Sequence, residues 1–252
     1  MNRGLLFTLL PALGLAAGPT RAQTARADSS LVAAAGRAFT ERYAAAVGEA
    51  ARLYNGPEYV PYVRRDADGH PYYGTNEPLP ASITYDGYTY RDVPLRYDLA
   101  KGQLVLRAPG GGLEMYLLNE RVQGFVLAGH RFVRLVAADS SQRLPAGPGY
   151  YDLLVEGPVR LLGVHKKSVQ QRSTFTGIST EIASRDLYFV EQGRRYYPVG
   201  SASSVLRLFP DRKAALRQFI KGNRLNFSTE TREAALTALL RYQATLAAPP
   251  PR

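Results

Sequence analysis

The sequence contains no cysteine and no tryptophan, and it has only three histidines and two methionines. Without cysteine the chain cannot form a disulfide scaffold, a zinc–thiolate site or a thiol nucleophile. A lipoprotein anchor is excluded as well, because that anchor is attached to a cysteine. A disordered chain is also excluded, because hydrophobic residues make up 45% of the sequence and can bury a sizeable core.

The first 22 residues have the three regions of a secretory signal peptide. Arg3 supplies a positive start, residues 4–18 are apolar, and small residues stand at positions 20 and 22. The apolar stretch is shorter than the roughly 20 residues that cross a bilayer, and Pro11 interrupts it. We therefore expect cleavage after Ala22, with no transmembrane segment in the mature chain. The expected location is periplasmic or extracellular, with association with the outer membrane as a further option.

Positive charge is concentrated in the last third of the chain. The net charge is +11; residues 23–159 carry 14 basic and 15 acidic side chains, whereas residues 160–252 carry 16 and 6. This asymmetry favours an anionic partner from the cell envelope, which could be a lipid, a polysaccharide or an acidic protein. A nucleic acid is not expected for an exported protein. A solvated basic face remains the open alternative.

The hypothesis of an anionic partner predicts that certain basic residues share one exposed surface. The candidates are Arg194, Arg195, Arg212, Lys213, Arg217, Lys221 and Arg224.

The pattern of apolar residues and turn signals predicts an α+β protein. It consists of an N-terminal helix, an antiparallel β-meander and two C-terminal helices. The meander could be a curled sheet, a sandwich or an incomplete barrel. The expected segments are a signal peptide (1–22), a helical segment (23–56, its helix at 31–53), a β-rich body (57–200), basic helices (201–248) and a disordered tail (249–252).

Turn pairs such as Asp86-Gly87 divide the body into ten short runs of β-branched and aromatic residues. The predicted strands are 82–85, 93–99, 103–107, 113–118, 122–127, 131–136, 151–155, 159–164, 186–191 and 194–199. Two segments are expected to be loose linkers, 66–80 and 137–149, and the polar, Thr- and Ser-rich segment 170–183 is a further candidate for mobility. The C-terminal helices are expected at 211–221 and from 228 or 229 to 246.

Several motifs resemble those of exported proteins from Bacteroidetes-type bacteria. They are ITYDGYTYRDVPLRYDL (83–99), GFVLAGHRF (124–132), YYDLLVEG (150–157) and the run 203–227. The group has no assigned activity. The resemblance therefore implies export and overall shape, and it supplies no catalytic residue.

The sequence offers no motif for catalysis or for metal binding. His70, His130 and His165 are far apart and lack a second ligand at metal-binding spacing, so only the fold could assemble a metal site. Carboxylate pairs such as Asp86 with Asp92, or Asp98 with Asp152, are better explained as turn or surface residues. A serine-nucleophile motif is also missing. No catalytic, metal-binding or cofactor-binding residue, and no cofactor, is expected.

Tyrosine is enriched in one part of the body: ten of the 17 lie between residues 43 and 97. Tyrosine suits both contact surfaces and strands, so a structural role is the alternative. The candidates for an aromatic contact face are Tyr59, Tyr62, Tyr72, Tyr73, Tyr88 and Tyr90.

These observations favour an exported, non-enzymatic protein that acts as a binding or structural component of the envelope. One alternative is a carrier that holds an apolar ligand in a β-barrel-like cavity. A third hypothesis is a hydrolase, which would need a polar cleft that gathers a histidine and at least one carboxylate.

Overall fold

The computed structural model describes residues 48–64, 67–108, 112–137, 143–175, 177–193 and 195–247. The chain divides into two compact units, residues 1–46 and 47–252, and the described residues belong to the second. The expected signal peptide, most of the expected N-terminal helix and the tail lie outside the described residues. The described end of that helical segment, Gly48–Tyr54, is a 3-10 helix.

Ten antiparallel strands form one sheet, which agrees with the predicted β-rich body. The strands are β1 (Leu79–Tyr85), β2 (Tyr88–Asp98), β3 (Gln103–Arg107), β4 (Glu114–Tyr116), β5 (Val122–Leu127), β6 (His130–Leu135), β7 (Gly149–Val155), β8 (Val159–Thr174), β9 (Gly177–Gln192) and β10 (Arg195–Val199).

The order of strands in the sheet is β10-β9-β8-β7-β6-β5-β1-β2-β3-β4. The sheet is not closed, since β10 and β4 are its two edges. Four strands separate β8 from β2, yet the Lys167 amide of β8 donates a hydrogen bond to the carbonyl of Leu99, just after β2. The sheet therefore bends back on itself at this point.

Residues 170–174 and 177–183, which the sequence did not assign to strands, belong to β8 and β9. Strands β8 and β9 pair without interruption from Val159 opposite Gln192 to Thr174 opposite Gly177. Most of the side chains near the tip are polar and exposed. The hydrogen bonds of a two-stranded ribbon join backbone groups, so they form whether or not one face is apolar.

Three α-helices follow the sheet: α1 (Ala202–Leu208), α2 (Lys213–Gly222) and α3 (Arg232–Ala247). The last two agree with the two predicted C-terminal helices, whereas the short α1 was not expected. Ser201 caps α1, because its side chain accepts a hydrogen bond from the Ser204 amide. Such a bond satisfies one of the free amides at a helix start.

The sheet is buried on both faces where the helices pack. On one face, Leu161 and Val190 join Leu216, Leu236 and Leu239 of the helices in one apolar cluster. On the other face, Tyr151, Leu162, Val164 and Phe189 form a second cluster. Because side chains alternate along a strand, residue 163 and residue 165 face the helices together with Leu161.

Candidate functional site

Polar side chains from four neighbouring strands and one helix meet on the helix-facing side of the sheet. Strand register brings the strand residues together: Asp152 of β7 lies opposite Gly163 of β8, and His165 lies opposite Asp186 of β9. The polar cluster consists of His130, Asp152, His165, Asp186 and Glu233.

Asp152 is the centre of this polar cluster and is only 1% exposed. Its Oδ2 lies 2.6 Å from His130 Nδ1 and 3.3 Å from His165 Nε2. Its Oδ1 is buried and has no hydrogen-bond partner among the described residues. A buried carboxylate is costly unless hydrogen bonds or positive charge compensate it. One oxygen of Asp152 therefore lacks such compensation from the described residues.

His165 connects two carboxylates. Its side chain is 8% exposed, and its Nδ1 lies 2.8 Å from Asp186 Oδ1, opposite the nitrogen that faces Asp152. Burial by itself lowers the pKa of His165, but the hydrogen bonds to Asp152 and Asp186 outweigh it and raise the pKa to about 9. The protonated ring thus balances part of the negative charge of the two aspartates.

Glu233, in the first turn of α3, completes the polar cluster. Its Oε2 lies 3.8 Å from His165 Nε2 and accepts a hydrogen bond of 3.2 Å from the Tyr188 hydroxyl. His130, Asp152 and Glu233 each offer a potential ligand atom, and these three atoms lie within 4.8 Å of one another. They are the one group of this kind among the described residues.

Gly163 lies beside the side chains of Leu154, Asp152 and His165. A Cβ atom at this position would lie 3.5 Å from both Asp152 Cβ and His165 Nε2. That distance is an ordinary contact, so a methyl group fits. A larger side chain would press on Leu154, 3.4 Å from that Cβ position, as well as on Asp152 and His165.

Aromatic rings line one side of the polar cluster. The ring centroid of Tyr73 lies 5.6 Å from that of His130, 5.2 Å from that of His165 and 5.2 Å from that of Phe132. The described part of segment 66–80, expected to be a loop, holds Tyr73 in a defined place. The Tyr73 amide donates to the Tyr97 carbonyl at 2.8 Å, and Lys167 Nζ donates to the carbonyls of residues 70 and 72 at 2.8 Å.

A pocket of about 430 Å³ opens beside the polar cluster. His130, Asp152 and Glu233 line it, so a cation bound by them would be reachable from the pocket. The remaining lining combines apolar and cationic side chains from β6, β7 and α3, including Arg131, Leu153, Leu154, Ala234, Ala238 and Arg241.

The described candidate basic residues lie on and around the C-terminal helices. Lys213, Arg217 and Lys221 are exposed and four residues apart on α2, so they share one helix face. Arg195 and Arg224 are exposed as well, whereas the half-buried Arg212 donates to the carbonyl of Gln243 at 3.4 Å. Arg194 lies outside the described residues.

The candidate tyrosines do not form one contact face. Tyr59 and Tyr72 are buried, with their hydroxyls 2.5 Å apart, so they belong to the core. Tyr62 donates to Asp98, and Tyr73 contacts the polar cluster. Exposed Tyr88 lies beneath the guanidinium of Arg52, and half-buried Tyr90 follows it two residues along β2.

The inner side of the bent sheet is filled with aromatic rings. Tyr97, Phe125, Phe132 and Tyr150, from four different strands, pack with ring centroids 4.7 to 5.6 Å apart. A carrier of an apolar ligand would need this space to be empty. The packing thus counts against the carrier alternative in the described part of the sheet.

Comparison of the chain with protein-family models, with curated proteins and with solved structures finds no match. Within the described ranges, none of the helices has the length and apolar character needed to cross a membrane. The site must accordingly be interpreted from its own chemistry.

Sequence reasoning considered the two histidines of the polar cluster separately and did not single out Asp186 or Glu233. The five residues are spread over more than a hundred positions, and none forms a spaced motif with another. The one local signal was the pair Gly163 and His165, two residues apart and therefore on one strand face.

Proposed function

We propose that the polar cluster binds a divalent transition-metal cation, with His130, Asp152 and Glu233 as its ligands. The observation that carries this proposal is the convergence of their ligand atoms, within 4.8 Å of one another, from two strands and a helix. The residues come together only in the fold, and all three line an open pocket. A cation held there keeps one coordination position free for water or another ligand.

The spacing of the donor atoms supports the proposal. Zinc–ligand bonds of about 2.1 Å place tetrahedral ligands about 3.4 Å apart. His130 Nδ1 and Asp152 Oδ2, now 2.6 Å apart, would have to separate by about 0.8 Å to admit the cation. His165 Nε2 lies 3.3 and 3.8 Å from the two carboxylate oxygens, which places it at the edge of the same site.

The surrounding contacts are those that a metal site needs. Ligand carboxylates and the histidines beside them are usually oriented by an outer layer of hydrogen bonds. Here Asp186 orients His165, and Tyr188 orients Glu233. Three carboxylates also leave the polar cluster net negative even when His165 is protonated, so a divalent cation supplies the missing positive charge.

The donor set selects the class of cation. Nitrogen and carboxylate oxygen without sulfur favour zinc, manganese or other divalent first-row metals over copper(I). Calcium and magnesium prefer sites built from oxygen alone. Zinc is accordingly the probe of choice.

Zinc titration of the mature protein tests the proposal, with metal content measured by mass spectrometry and affinity by calorimetry. The wild type is expected to bind one zinc ion per chain, and H130Q and E233Q to bind it at least about tenfold more weakly. H70Q is the matched control, because His70 lies outside the polar cluster. Equal binding by all four proteins, or none by the wild type, overturns the proposal. Thermal unfolding of each variant confirms that it is folded.

In this proposal the protein acts by binding, as an exported component of the cell envelope. The polar cluster also meets the requirement set for a hydrolase, a histidine gathered with a carboxylate beside a cleft, and a bound cation can activate water. Hydrolysis is thus the second candidate. Turnover of p-nitrophenyl acetate by the zinc-loaded wild type, lost in E233Q, would favour it; equal rates in both proteins would exclude it at this site.

We further propose that the basic face of α2, formed by Lys213, Arg217 and Lys221, docks the protein on an anionic lipid surface. None of the three makes an ion pair with another described residue. A variant with all three changed to Gln is expected to lose salt-sensitive binding to phosphatidylglycerol vesicles. The matched control changes three other exposed cations, Arg91, Lys166 and Arg185, and equal loss in both variants contradicts a specific face.

A further inference from the structure

We propose that the pocket beside the polar cluster binds a small organic dicarboxylate. One carboxylate completes the coordination of the cation, and the other pairs with Arg241. This inference rests on the proposed cation site and names the class of ligand that the site takes.

Helix α3 supplies one wall of the pocket with a regular pattern. Glu233, Thr237 and Arg241 are four residues apart, so they lie along one helix face, and all three line the pocket. Eight residues of α-helix span about 12 Å. A cation ligand and a guanidinium thus stand at the two ends of one wall.

The space between these two ends is open and largely apolar. Ala234 and Ala238 are the neighbouring residues of α3 at the pocket, and their small side chains leave the volume of about 430 Å³ unfilled. Leu153 and Leu154 of β7 line it as well. A volume of this size lies within the range of small-molecule sites. The lining suits a short hydrocarbon chain between two polar groups.

Arg241 is the cation available for a ligand. It is exposed and makes no hydrogen bond or ion pair with any residue in the part of the chain that the structure describes. Arg131, the other arginine of the pocket, already pairs with Glu156 at 2.9 Å. A guanidinium presents a planar pair of donors that matches a carboxylate. The free end of the ligand is therefore assigned as a carboxylate.

The charges of the site make binding of the dicarboxylate depend on the cation. Without a divalent ion the three carboxylates of the polar cluster repel an anion at this end of the pocket. With the ion bound, the same end attracts a carboxylate and offers it a coordination position. The cation is therefore required for the anion to bind.

Calorimetry with adipate as the probe tests whether binding of the dicarboxylate requires the cation. Protein loaded with one equivalent of zinc is expected to bind adipate, and protein kept in chelator is not. The R241Q variant is expected to bind adipate about tenfold more weakly or worse while it retains its zinc. R207Q is the control, because Arg207 is exposed on α1 and does not line the pocket. Hexanoate, with one carboxylate, is expected to bind as weakly to the wild type as adipate binds to R241Q.

The outcomes separate this inference from the proposed cation site. If zinc itself does not bind, the proposed function fails. If zinc binds but adipate does not, or if adipate binds wild type and R241Q equally, only the dicarboxylate site is overturned. Equal adipate affinity with and without zinc would contradict the proposal that a carboxylate of the ligand coordinates the cation. Tighter binding of inorganic phosphate than of adipate overturns the assignment of a dicarboxylate.

Discussion

Two buried aspartates of the same sheet differ in how their oxygens are satisfied. Asp98, at the end of β2, is 0% exposed and accepts hydrogen bonds from the amides of Ala100 and Lys101 and from the Tyr62 hydroxyl. Among the described residues, the carboxylate of Asp152 in β7 has hydrogen-bond partners only in the two histidines, at Oδ2, and its Oδ1 has none. Its side chain also lines the pocket beside the polar cluster, whereas Asp98 does not.

The difference between these aspartates indicates different roles. The hydrogen bonds that Asp98 accepts from the amides and the hydroxyl fix the end of β2 and the loop that follows it. Asp152 ends no strand and organises no backbone. Buried polar groups are normally satisfied, so an exception beside a pocket is where a ligand is expected. We infer that the residues around Asp98 stabilise the fold, whereas those around Asp152 bind a ligand.

The largest loss of stability is expected for D98A. The substitution leaves two backbone amides and the Tyr62 hydroxyl without their acceptor, and the free energy of unfolding should fall by about 3 kcal/mol. Urea unfolding at neutral pH measures it. A loss no greater than that of D152A would contradict the distinction between the two aspartates.

A smaller loss is expected for G163V. The branched side chain must push against His165 and Asp152, which costs about 2 kcal/mol and also removes zinc binding. G163A is the control, since its single methyl group fits at contact distance. Unfolding curves and zinc titration of both variants measure the effect; loss of zinc binding in the alanine variant as well would show that bulk at this position is not the cause.

D152A is expected to cost only about 1 kcal/mol in chelator, because His165 keeps its bond to Asp186 and partly exposed His130 can bond to water. The response to zinc should show the functional role of Asp152. It raises the melting temperature of the wild type, since a ligand stabilises the state that binds it, and leaves that of D152A unchanged. Calorimetric melting with and without zinc gives the comparison; an equal shift in both proteins would contradict it.

The smallest effect on the free energy of unfolding is expected from His70, which has no carboxylate partner among the described residues. Burial, and then the nearby charge of Lys167, lower the pKa of His70. The unfolded chain therefore takes up its proton first, near pH 6.5, and the free energy of unfolding falls as the pH drops below that value. H70Q should show a shallower loss between pH 7.5 and 5 in urea unfolding. An identical pH dependence would mean that His70 does not contribute.

Much of the fold follows from local signals in the sequence. Asp86 and Gly87 both adopt positive φ angles of 50° and 81°, as the Asp-Gly turn between β1 and β2 predicted. The polar tips of β8 and β9 could not be recognised as strands from the sequence. Without alternating apolar residues, the composition of a strand does not differ from that of a loop. The Ser201 cap of α1 lacks the acidic residue that usually marks such a start.

The candidate site could not be assembled from the sequence. His130 and His165 were each consistent with an ordinary strand residue, and Glu233 with an ordinary first-turn acid. Their meeting depends on the register of β6 to β9 and on the docking of α3. Register of this kind is decided by long-range pairing and burial, which leave no fixed spacing in the chain.

The sequence by itself determined most of the strand-forming segments, apart from the polar tips of β8 and β9, the two long C-terminal helices and the concentration of basic residues at the C-terminal end. Each of these depends on neighbours in the chain: turn residues, apolar periodicity and composition. Only the tertiary structure decided which histidines meet which carboxylates, and which tyrosines are buried. Those contacts join residues from different strands and helices, and the free energy that selects them comes from packing the whole sheet against its helices.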